Sequence, residues 1–179
     1  MSNPLPRKET KEMTTFYAQP YDISASGFYF ETMADYTEKS GKLRNDHGQP
    51  VEEFEIQFID GELIDVELCK AIGINQANIG DVIDGIDNWS DDDKRQIILA
   101  VGDGYSFDPK TNDPASFDVT IYELDSMREL AEQFIEEGLF GDIPENLAPY
   151  IDCDAIARDL EFDYTLTTVA GQRLIYRTC

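Results

Sequence analysis

Hydrophobic positions along this chain change period several times, and each change marks an expected element. Residues 14–21 and 26–30 are rich in aromatic and β-branched side chains on either side of a short polar link, which predicts two strands. From 32 to 43 the spacing turns helical and ends in the turn-rich run Asn45, Asp46, His47, Gly48, Gln49, Pro50. Phe54, Ile56 and Phe58 then alternate with Glu53, Glu55 and Gln57, a half-buried strand closed at Asp60-Gly61. The expectation is a small ββαβ unit over 14–61, preceded by an aperiodic, disordered lead-in at 1–13.

Residues 62–104 hold no strand pattern. Leu63, Ile64, Leu68 and Ile72 suit one short helix ending at Gly73; Ile79, Val82, Ile83 and Ile86 suit a second; Ile97, Ile98 and Val101 suit a third. Beyond a polar loop, Phe117, Val119 and Ile121 alternate as a strand. Ser126 opens an amphipathic helix with Met127, Leu130, Ala131 and Phe134 on one face, stopped by Gly138. A helix from about Asp152 carries Cys153, Ile156, Ala157 and Leu160, and 164–169 with 173–177 read as a closing hairpin around Gly171. The fold class expected is α+β, as three small subdomains in series in an elongated chain: 14–61 α+β, 62–104 helical, 105–179 α+β.

Charge changes this picture more than any motif does. The 179 residues carry 37 acids, 14 Lys plus Arg and one His, for a formal charge of −23. Residues 1–50 are nearly neutral, whereas 51–125 hold nineteen acids against four bases and 126–179 hold eleven against four. The acids are interleaved with apolar residues, so they belong to folded surfaces and not to an acidic tail. Such a surface repels phosphate, which argues against nucleic acid or an anionic membrane as a direct partner and for something basic. No apolar run reaches the roughly 18 residues of a membrane span, and 1–13 lacks a secretory signal, so a cytoplasmic protein is expected.

Candidate chemistry is thin. Cys69, Cys153 and Cys179 are widely spaced and odd in number, and His47 is the only histidine, so neither a disulfide framework nor a Cys/His zinc site is expected. A calcium loop starting at Asp87 would place Asp92 where Gly is needed and Ile98 where Glu is needed. Gly102-Asp103-Gly104 lacks the third glycine of a dinucleotide fingerprint, and no nucleophile elbow, phosphate loop or Cys-x-x-Cys occurs. His47 reads as a solvated turn residue. No catalytic residue, cofactor or metal is assigned, and a non-enzymatic role is expected.

The acids themselves are the candidate site. Asp81, Asp84 and Asp87 recur every third residue; Asp91, Asp92 and Asp93 crowd one helix start; Glu129, Glu132 and Glu136 lie opposite an apolar stripe, with Glu137 beside them; Asp152, Asp154, Asp159, Glu161 and Asp163 crowd the last helix. Some have ordinary duties. Ser126 and Glu129 form a Ser-x-x-Glu capping pattern, and acids in a first turn stabilise the macrodipole. The total exceeds such duties: 51–163 holds thirty acids and six bases. At one charge per about 1.7 Å of duplex, that surplus matches roughly 40 Å of DNA. A charge this large destabilises a compact state by self-repulsion, so it is expected to serve a function. A chaperone for basic proteins and a halophilic carboxylate-pair hydrolase are the alternatives; the abrupt onset of acidity at Val51 weighs against the second.

At this point the chain resembles the ArdA-type antirestriction proteins, small acidic DNA mimics carried by plasmids, transposons and phages. The resemblance rests on Phe16-Tyr17-Ala18, on the run from Glu53 through Ile56 to Gly61, on the acidic segment 125–139, on Pro144 to Asp152 and on Ala157-Arg158-Asp159-Leu160. It implies a homodimer that inhibits type I restriction-modification enzymes by occupying the DNA groove of their specificity and methyltransferase subunits. It also places the family's antirestriction motif at 125–139.

Overall fold

A computed structural model describes residues 13–179. Of the expected lead-in, only Met13 falls among the described residues, and it is exposed. Among the described residues the class is α+β, with six α-helices, two short 3-10 turns and two three-stranded antiparallel sheets. The chain divides into two compact units, one running to Asn88 and one from Trp89 to Cys179.

The first unit is built on β1 (Thr15–Pro20), β2 (Phe28–Phe30) and β3 (Phe54–Asp60), in the order β2-β1-β3. Phe16, Ala18, Phe30, Phe54 and Ile56 are all buried. Phe16 stacks on Phe30 at 5.5 Å and meets Phe58 edge-on at 5.7 Å, while Phe30 lies 5.0 Å from Tyr36 of α1 (Met33–Lys42). Each such ring pair adds about 0.5–1.5 kcal/mol beyond the area it buries. Thr32 caps α1 by accepting from the Asp35 N–H, and Lys39 and Lys42 at its end pair with Asp35 and Glu38. Two further helices complete the unit, α2 (Leu63–Ile72), ended by Gly73 at φ 70°, and α3 (Ile79–Asn88), which buries Ile79, Val82, Ile83 and Ile86.

Gly27 is fixed by space. A Cβ there would lie 2.4 Å from the Ala18 carbonyl oxygen and 2.6 Å from the Tyr17 ring, so Gly27→Ala is expected to destabilise by about 1–3 kcal/mol. Gly41, inside α1, faces open space, and Gly41→Ala is expected to stabilise by about 0.4–1 kcal/mol. Thermal or urea unfolding of the two variants reads both signs. Equal effects would contradict the packing described.

The second unit places β4 (Val119–Tyr122), β6 (Gln172–Thr178) and β5 (Thr165–Val169) in the order β4-β6-β5. Strand β6 is central and buried on both faces, as its side-chain alternation requires. Leu174 and Tyr176 pack with Leu99 of α4 (Asp91–Gly102), while Ile175 packs with Met127, Leu130 and Phe134 of α5 (Met127–Glu136) and Ala157 of α6 (Cys153–Leu160). The β5–β6 hairpin turns through Ala170 and Gly171, both at positive φ, the geometry that two-residue hairpins favour.

The helices expected as a separate module at 62–104 are therefore shared out. Helices α2 and α3 belong to the first unit and α4 to the second. The last helix is also shorter than its acid run, because α6 ends at Leu160, leaving Glu161 as its C-cap and Asp163 in the following turn.

Candidate partner-binding surface

In the first unit, Asp81, Asp84 and Asp87 sit on α3 away from its buried isoleucines. Asp84 and Asp87 are exposed and Asp81 is half-buried in the first turn. Three residues advance about 4.5 Å along a helix, so the three carboxylates step along α3 somewhat more widely than the roughly 3.4 Å per phosphate of one DNA strand.

In the second unit the acids divide by the work they do. Asp93 closes a capping box: its N–H donates to the Ser90 hydroxyl (3.2 Å) and its carboxylate accepts from the Ser90 N–H (2.9 Å). Asp92 pairs with Arg95 at 2.9 Å. Asp91 is exposed, and its carboxylate has no hydrogen bond or ion pair among the described residues. Glu129 accepts from the Asp125 N–H, and Asp152 caps α6 by accepting from the Ala155 N–H. The capping duties expected at Ser126 and in the first turn of α4 are thus present, with the Glu129 carboxylate reaching one residue beyond the cap.

Arg128 was missed by sequence reasoning. Its Nε donates to Glu132 at 2.9 Å and its Nη1 to Asp154 at 3.0 Å, tying α5 to α6 and neutralising part of two candidate acids. The spacing of four residues made the first pair legible; the second joins positions 26 residues apart. Glu137 accepts from Gln133. What remains bare are the carboxylates of Glu136 on α5 and of Asp159, Glu161 and Asp163 at the end of α6: all four residues are exposed, and none of these carboxylates has a hydrogen bond or ion pair among the described residues.

The antirestriction protein (ArdA) family matches residues 52–172, well over half of the chain. The chain belongs to the ArdA family. Membership implies an antirestriction function, and all fifteen candidate acids fall inside the matched segment. No curated protein matches the chain. The match begins at Glu52, next to the point where the acidity sets in, and leaves β1 and β2 outside it although both share a sheet with β3. Among the described residues, no group of three or more His, Cys, Asp or Glu side chains could hold a metal ion, and no helix is long and apolar enough to cross a membrane.

One buried polar site has a measurable signature. The Tyr176 hydroxyl donates to Asp103 at 2.7 Å, and burial first, then that carboxylate, pushes the phenol up to about 12. A raised pKa means that the folded state holds the proton more tightly. Its stabilising contribution is complete below the ordinary phenol value near 10 and is lost as pH rises from about 10 to 12. Tyr176→Phe is expected to flatten stability across that window in urea titrations. An unchanged pH slope in the variant would assign the alkaline loss to other groups.

Proposed function

We propose that this chain is a DNA mimic, acting in the cytoplasm, that inhibits a type I restriction-modification enzyme by occupying the DNA-binding groove of its specificity and methyltransferase subunits. The observation that carries this reading is where the bare carboxylates stand. Helix α5 ends in Glu136, exposed and with its carboxylate unpaired among the described residues, and has no basic residue in its last turn; Glu161, at the C-cap of α6, has a carboxylate that is likewise exposed and unpaired. A carboxylate at a helix C-terminus opposes the macrodipole. These positions cost stability, so what they supply is field directed outward. Membership in an antirestriction family agrees with that use.

The proposed inhibitor acts by binding alone, as a homodimer. Leu139 and Phe140, in the turn after α5, are 62% and 52% exposed, and Tyr150, in the short turn 148–150, is 83% exposed; these apolar side chains are available for the contact between two copies. The deciding experiment titrates the chain into a purified type I restriction-modification enzyme and scores DNA binding and cleavage over a salt series. Competitive displacement of DNA that fades with rising salt supports mimicry. Full binding of DNA in the presence of excess folded protein overturns it.

Arg128→Gln offers a sharper check. Removing this cation bares Glu132 and Asp154, so inhibition is expected to hold or strengthen while unfolding becomes slightly easier. If Arg128→Gln weakens inhibition in a folded sample, the guanidinium and not the carboxylates makes the contact.

A further inference from the structure

The second edge of β3 has no strand paired to it among the described residues. The Tyr21 N–H donates to the Glu53 carbonyl at 3.2 Å, which sets the phase of the β1–β3 ladder: residues 53, 55 and 57 turn their main-chain groups toward β1, and 54, 56 and 58 turn theirs away. At the start of that outer edge, the side-chain amide of Gln76 makes the two bonds that a neighbouring strand would make. Its Oε1 accepts from the Phe54 N–H (3.0 Å) and its Nε2 donates to the Glu52 carbonyl (2.8 Å). Further along, the Phe54 C=O, the Ile56 N–H and C=O and the Phe58 N–H have no hydrogen bond to any described residue. Beside them lies a cleft of about 350 Å³ lined by Ile56, Phe58, Val66, Cys69, Gly73 and Ile74, with Lys70 on its wall.

We infer that this edge receives an extended, basic segment of a partner protein as a fourth strand. Unpaired ladder groups supply the main-chain bonds, and a cleft against α2 takes one apolar side chain of the segment, the arrangement that strand addition uses. Charge selects the sign of the guest. Glu52, Glu53 and Glu55 at one end of the strand and Asp60 at the other are exposed, and the described residues of this unit hold fifteen acids against four bases. Binding here is local and directional, unlike the spread-out charge display proposed above, and does not depend on it.

The probe is a blocked hexapeptide alternating lysine and valine, titrated into the full chain by fluorescence anisotropy, with amide hydrogen exchange followed at each residue. The expected result is saturable binding with slowed exchange at Ile56 and Phe58. N-methylation on the paired side of the peptide should weaken it by about two- to tenfold for each bond blocked. Val66→Trp, which fills the cleft, should weaken it too. A glutamate-valine peptide should not bind. The inference is overturned if the lysine peptide binds without protecting Ile56 and Phe58, if N-methylation changes nothing, or if the glutamate peptide binds equally. Concentration-dependent protection of both amides in the peptide-free protein would overturn it as well, since a second copy would then hold the edge.

Discussion

Replacing Glu136, Asp159, Glu161 and Asp163 together by their amides is expected to weaken inhibition of the target enzyme progressively, with no single substitution dominating. Each exposed carboxylate facing a cation in a groove contributes modestly, up to about fivefold, so the four together reach roughly tenfold to a few hundredfold. These four are chosen because their carboxylates have no partner among the described residues, so amides in their place break no pairing. Glu136, Asp159 and Glu161 also oppose helix dipoles, so their amides should raise the melting temperature slightly. Opposite signs for inhibition and stability are the signature to measure, by a cleavage-competition assay alongside thermal unfolding. The matched control replaces Asp93, Glu129 and Asp152, whose carboxylates are occupied in capping: stability should fall and inhibition should change little per folded molecule. Abolition of activity by one amide in a folded sample would end the case for distributed mimicry.

Leu174→Ala should have the largest effect on stability. Leu174 is fully buried and packs with Leu99, Val169 and Tyr176 between α4 and the second sheet. Truncation removes a transfer contribution and leaves a cavity, about 2–5 kcal/mol in all, comparable to much of the stability of a small unit. Amide exchange should accelerate across β4, β5, β6 and α4. If protection of β6 survives in the variant, α4 is not the partner that stabilises this face.

How much of this was legible depends on the reach of each interaction. Helix α5 could be read directly, because Ser126 caps it locally and Met127, Leu130, Ala131 and Phe134 lie within one face. The allegiance of α4 could not. Its hydrophobic residues signal a buried face, but Leu99 finds that cover in Val169, Leu174 and Tyr176, some seventy residues later. The hairpin was legible from Gly171, whereas the burial of β6 on both faces is hinted at only by Leu174, Ile175 and Tyr176 standing consecutively. For the acids, sequence could distinguish capping from surplus wherever the partner is three or four residues away, as at Ser90 and Asp93. It could not show that Asp154 spends its charge on Arg128, or that Glu161 stands at the end of α6 and not within it.

The two ends of the family match fall in awkward places for the fold. At Glu52 the match starts just before β3, whose hydrogen-bonded neighbour β1 lies outside it; at Gln172 it stops at the first residue of β6, before Leu174, Ile175 and Tyr176. Each boundary cuts a sheet between a strand and its core partners. A fragment trimmed to the matched segment would keep every candidate acid and yet lack the central strand of both sheets, so its chains would meet through raw hydrophobic edges and clump. The matched stretch thus holds every candidate acid, while the scaffold that carries them extends past both of its ends.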